Sequence, residues 1–110
     1  MIQSDLFSAL SSTFSGRLYP MIAPAAVTRP FGVYSRVSDV PTTIHAGGAH
    51  ETRIQIDIYA ETYAGALSLA ANATTAINAA GFSVAEINAM DEYEDDVKLY
   101  RVLLEFAFWQ

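Results

Sequence analysis

The residues best suited to chemistry in this sequence fall in two places. His45 and His50, with Glu51 directly after, form a His-x4-His-Glu grouping that has the donors of a metal site or a general base. A structural zinc site needs a complete tetrahedral set of ligands, and this grouping is short of one. It also lies in a segment rich in small residues, glycine and proline, where no helix places the rings on a common face. The expected reading is a solvated loop. The second place is the acidic run Asp91-Glu92-Tyr93-Glu94-Asp95-Asp96. Its carboxylates are hard oxygen donors of the kind that hold calcium or magnesium. The run has no glycine where a calcium loop turns, and it falls between two apolar segments, so a solvated turn is expected instead.

Other catalytic devices are missing. No Gly-x-Ser-x-Gly elbow presents a nucleophile. Gly47-Gly48 precedes neither a helix start nor a lysine, so it is not a phosphate cradle. The sequence has no cysteine, which removes thiolate ligands, thiol nucleophiles and disulfides. Tyr34, Tyr59 and Trp109 have faces on which bases stack, but they lack basic neighbours. Packing on a sheet or at a subunit contact is the expected use. No enzyme activity, cofactor or metal is expected.

The composition agrees with this. The 110 residues correspond to one domain, expected to span 1–110. Hydrophobic residues make up 52% and charged residues 16%. Disorder is therefore excluded, and a weakly polar surface is implied, of the kind that partners cover. The net charge of −6 argues against a duplex-binding surface. Its distribution is uneven. Residues 1–53 carry four basic and three acidic groups, whereas residues 54–110 carry two basic and nine acidic. No apolar run is long enough to span a membrane, and Met1-Ile2-Gln3-Ser4-Asp5 lacks the basic start of a signal peptide.

The elements that must position these residues follow from periodicity. Leu6, Phe7, Leu10 and Phe14 recur at helical spacing, which predicts a helix over 4–14 with Ser4 as N-cap and Gly16 as its end. Arg17-Leu18-Tyr19 is a short extended piece, and Pro20, Pro24 and Pro30 make 20–30 irregular. Residues 31–37 read as a strand with Phe31, Val33 and Val37 on one face and Tyr34 and Arg36 on the other. A long loop is expected over 39–50. Residues 52–60 form the clearest strand, Ile54, Ile56 and Ile58 alternating with polar residues.

A helix follows over 64–80, with Ala66, Ala70, Ala73, Ile77 and Ala80 as a small-residue stripe and Gly81 at its end. Residues 82–89 form a weaker strand and 91–96 a turn. In 97–109, Tyr100, Val102, Leu104, Phe106 and Phe108 alternate with Leu99, Arg101, Leu103, Glu105 and Trp109. This order predicts an α+β fold, a mostly antiparallel sheet with two main helices packed on it.

Four pieces in this order resemble the tail-completion, or tail-terminator, proteins of long-tailed bacteriophages and related tail-like particles. They are the first helix with Arg17-Leu18-Tyr19-Pro20, the strand entry Arg29-Pro30-Phe31-Gly32-Val33-Tyr34, residues 52–64, and the ending from Glu92-Tyr93-Glu94 through Leu99-Tyr100-Arg101-Val102 to Phe106. The likeness spans about residues 4–108. It implies a viral structural protein of the virion tail that forms a homo-oligomeric ring, typically a hexamer, on the head-proximal end of the tail tube. There such a ring ends tube polymerisation and provides the surface for head attachment. The implied partners are further copies of the chain, the tail tube protein and a neck or head-completion protein. DNA crosses the lumen without being read, no membrane is involved, and assembly takes place in the host cytoplasm. A neck or head-tail adaptor is the neighbouring reading, and a small cation-dependent enzyme built on the acidic turn is the distant one.

A closed ring needs two unlike patches that meet, and the charge asymmetry supplies a pair. Arg17, Arg29 and Arg36 are expected to face the acidic stretch Asp91 to Asp96 of the next copy, Asp95 and Asp96 included, with Tyr34 and Trp109 as aromatic anchors and Thr43, Ile44 and His45 of the loop at a subunit or tube contact.

Overall fold

The computed structural model describes residues 2–41 and 50–109. Helix α1 (Ile2–Leu10) turns Ile2, Leu6 and Leu10 inward at i, i+4 spacing, and Phe14 continues that line beyond its end. It begins earlier than the expected Ser4 cap and ends earlier than Phe14. Ser4 lies inside the helix, where its carbonyl accepts a hydrogen bond from the Ser8 hydroxyl. The chain then turns through Ser15 and Gly16, both at positive φ, into the short strand β1 (Leu18–Pro20).

Strand β2 (Phe31–Pro41) and strand β3 (His50–Ala60) are each longer than their periodicity indicated. Asp39, Val40 and Pro41 remain paired to Thr52, Glu51 and His50, so both ends of the expected loop over 39–50 are strand, and its other residues lie outside the described ones. Backbone ladder bonds outweigh the turn preferences of Asp39 and Pro41 here. The register shifts between Arg36 and Ser38. This bulge leaves Val37 unpaired and about half exposed, unlike the buried Phe31 and Val33, because an extra residue interrupts the alternation.

Helix α2 (Tyr63–Ala79) starts at Thr62, whose Oγ1 accepts a hydrogen bond from the Gly65 amide at 3.0 Å. It ends at Ala80 and Gly81, the latter at φ +85°. Ala66, Ala70, Ala73 and Ile77 are buried, as the stripe requires, while Ala80 is the exposed C-cap. Strand β4 (Val84–Glu94) and strand β5 (Leu99–Trp109) complete the chain. The acidic run is therefore not a turn throughout. Asp91–Glu94 belong to β4, paired with Val102 to Leu99 of β5, and the turn begins at Asp95.

The sheet order is β1-β2-β3-β5-β4. β1 pairs with β2 in parallel, and the other pairs among the described residues are antiparallel. Both helices lie on one face. Ile54, Ile56 and Ile58 of β3 and Val102, Leu104, Phe106 and Phe108 of β5 pack there with α1, α2 and Phe14. This is the α+β architecture the element order predicted.

Candidate functional site

The second sheet face carries the polar residues of β3 and β5, and no helix among the described residues covers it. At its centre Arg101 of β5 reaches Asp57 of β3, with Nε at 3.0 Å and Nη2 at 2.8 Å from the same carboxylate oxygen. Nη1 of Arg101 bonds Glu92 at 2.9 Å and Glu94 at 3.0 Å, both on β4. The Gln55 amide donates to both oxygens of Asp57, and the guanidinium lies 5.9 Å from the centre of the Tyr59 ring. Burial alone disfavours a charged Arg101. The bonds and charge of Asp57, with Tyr59 and Glu94, more than offset this and hold its pKa above that of a free arginine. One arginine thus ties three strands together through three carboxylates.

Beside this node the face is apolar. Phe31, Val33 and Leu99 are buried under the 21–30 segment, with Ala23, Val27, Tyr19 and Tyr59 against them. Tyr59 stacks on Phe31 with centroids 4.9 Å apart. It is not an exposed base-stacking platform, because its ring is held in this cluster. An open groove of about 330 Å³ runs along the segment between Met21, Ile22, Asp57 and Val97. Met21 and Ile22 are 73% and 80% exposed, so the groove has an apolar rim.

The expected site residues separate across the molecule. Arg17 precedes β1 and donates through Nε to the Pro30 carbonyl at 2.8 Å. Arg29 is exposed beside β2 and is without a hydrogen bond or ion pair among the described residues. Arg36 pairs loosely with Asp39 at 3.4 Å. Asp95 and Asp96 are exposed in the β4–β5 turn. Tyr34 is half-buried against the main core, on the helix face, whereas Trp109 stands exposed at the end of β5. Thr43, Ile44 and His45 lie outside the described residues. His50, the other histidine, has its Nδ1 3.1 Å from Asp39, which also accepts from Thr52. Among the described residues no three His, Asp or Glu side chains are grouped to hold a metal ion, and no helix is long and apolar enough to cross a membrane.

The sequence reading did not single out Tyr63, Tyr93 or Tyr100 as a group. Tyr93 and Tyr100 are paired across β4 and β5 with ring centres 4.9 Å apart, and Tyr63 at the start of α2 lies 5.8 Å from Tyr100. The Tyr63 hydroxyl donates to Asp91, and this bond holds the phenol's pKa above its ordinary value. With Asp91 and Glu92 the three rings line an open pocket of about 300 Å³ at the β4 edge. The spacing within β4 and β5 shows two of these rings only once the register is known.

The sequence profile of the family described as "Tail completion protein gp17" matches residues 6–110. No curated protein matches by sequence. Among solved structures, the chain is similar to one described as "Virion of native gene transfer agent (GTA) particle", at 13% identity and a TM-score of 0.71 over 98% of this chain and 92% of that one. At that identity the likeness is one of fold. The profile match covers almost the whole sequence, and the chain belongs to the tail completion protein gp17 family.

Proposed function

We propose that this tail completion protein is a structural component of a phage or phage-like virion, closing into a ring of identical subunits on the head-proximal end of the tail tube. The ring stops further tube growth and presents the surface that a neck or head-completion protein binds. DNA crosses its lumen unread, which suits a chain of net charge −6. Residues 1–110 act as one tail-terminator-like domain without catalysis. The observation that carries this reading is the family match over residues 6–110.

The uncovered sheet face and the exposed rim at Met21 and Ile22 supply the weakly polar surface such a subunit buries on assembly. Within the ring, Arg17, Arg29 and Arg36 form one side of the subunit contact and Asp95 and Asp96 the other, with Tyr34 and Trp109 as anchors.

The test is removal of the gene from cells producing the particle, followed by electron microscopy of the tails. Overlong tails of irregular length, unattached to heads and corrected by resupplying the chain, are expected. Tails of normal length that fail to join heads would instead assign the chain to the neck.

A further inference from the structure

The two edges of the sheet differ in charge at the same height. Ladder partners run in one unbroken row from Leu18 of β1 through Gly32, Ile58 and Val102 to Asp91 of β4. The next row joins Phe31, Tyr59, Arg101 and Glu92. Arg17 immediately precedes Leu18, and its carbonyl accepts from the Gly32 amide. Arginines therefore stand at the β1–β2 end of these rows, and the tyrosine–carboxylate pocket stands at the β4 end. Along β4, Ile87, Met90 and Tyr93 are each more than 40% exposed, and among the described residues no strand pairs with its outer edge. A long exposed edge of this kind is a surface for another chain.

We infer that the β4 edge docks against the β1–β2 edge of a second copy, with a guanidinium of Arg17 or Arg29 seated among Tyr63, Tyr93, Tyr100 and Asp91. This rests on the ring reading and names its subunit contact. The chemistry of the pocket selects the occupant. Asp91 repels an anion, Glu92 being held already by Arg101 of the same copy, and three ring faces favour a planar cation that both stacks and pairs, which describes arginine better than lysine. The arginine must come from another copy. Within one copy the two edges are four strand spacings apart, about 19 Å, beyond the reach of the side chain. Contact between opposite edges is heterologous, as closed rings require. Because the partners share rows, the contact needs little shift along the strands.

Two charge-reversed chains test this, one carrying Arg17→Glu and Arg29→Glu, the other Asp91→Arg and Asp95→Arg. Sedimentation of the full-length chain, alone and with its own tail tubes, reads assembly. Each variant alone is expected to raise the assembly midpoint roughly tenfold or more, since like charges then face each other across the contact. An equimolar mixture restores opposite charges at every contact of an alternating ring and is expected to return to within about threefold of the parent. If either variant fails to fold, Tyr93→Ser at the exposed ring is the substitute, expected to weaken assembly about threefold or more. Parent-like assembly of the separate variants, or of Tyr93→Ser, overturns the inference, as does a mixture of folded variants that stays unassembled. A parent chain that never assembles, even on its tube, overturns the ring reading itself.

Discussion

Arg101 and Asp57 meet at 2.8 Å on the uncovered sheet face, with side chains 21% and 10% exposed. Asp57 lies on the central strand β3 and its partner on the adjacent β5, so the pair locks two strands whose apolar sides form the core. Removing the arginine leaves Asp57, Glu92 and Glu94 without their shared cation. Arg101→Met is expected to cost about 2–4 kcal/mol, below a fully buried pair because water reaches part of the node. Adding Asp57→Asn should recover part of that loss. Urea unfolding of the single and double variants checks both, and a single variant as stable as the parent would show that the node is only a surface decoration.

Tyr59 gives the fold an alkaline limit. Burial pushes its phenol above the ordinary 10.0, with Arg101 pulling it down and Asp57, Glu94 and Glu92 pushing it up. A raised folded pKa means the stabilisation is intact below the unfolded value and is lost as pH rises through the folded one. Stability should therefore decline above about pH 10, and Tyr59→Phe should flatten the decline. Melting temperatures between pH 9 and 11 compare the two proteins, and identical slopes would exclude Tyr59.

Ile56 and Gly32 test the helix side from opposite directions. Ile56 is fully buried, and Ile56→Ala is expected to cost about 2–5 kcal/mol through a cavity. At Gly32 a Cβ would lie 2.8 Å from Phe14 Cε1 and 3.0 Å from Leu18 Cδ1. Gly32→Ala is expected to cost about 1–3 kcal/mol through overpacking. Thermal melts measure both. A neutral Gly32→Ala would mean Phe14 moves aside freely.

Trp109 separates folding from assembly. The residue is 41% exposed, and its amide bonds the Ser83 carbonyl at 2.9 Å whatever side chain it carries. Trp109→Ala is expected to cost the protomer about 1–2 kcal/mol and to raise the assembly midpoint roughly tenfold if the ring anchors there. Raising salt should weaken assembly only modestly, because exposed ion pairs contribute about 0–1 kcal/mol each. Sedimentation across a salt series measures both effects, and normal assembly of Trp109→Ala would move the anchor elsewhere.

Much of the fold was legible because it is written in local period. Ile54, Ile56 and Ile58 alternate, as do Val102, Leu104, Phe106 and Phe108, and all are buried on one face. Ala66, Ala70, Ala73 and Ile77 recur at helical spacing and are buried too. Side-chain direction along a strand or helix is set by neighbouring residues, so these assignments need no knowledge of the rest of the chain. The family likeness rested on two of these strands, within 52–64 and the ending to Phe106, together with the first helix, Arg17–Pro20 and Arg29–Tyr34.

Long-range pairing decided what period does not record. The bulge beside Val37 exists only because β3 runs opposite it. Four of the six residues of the acidic run became strand because β5 offered a ladder that an isolated turn lacks. Arg101 could have met any of the nine acidic residues after residue 53. It met Asp57, Glu92 and Glu94 because β5 is inserted between β3 and β4 in the sheet. That insertion also carries β4 to the edge opposite Arg17, converting a charge difference along the sequence into one across the sheet. Sequence alone determined the inward residues of β3, β5 and α2 on the helix side, because burial there follows local alternation, while tertiary structure decided which distant charges and rings meet, because strand order is set by the packing of the whole sheet.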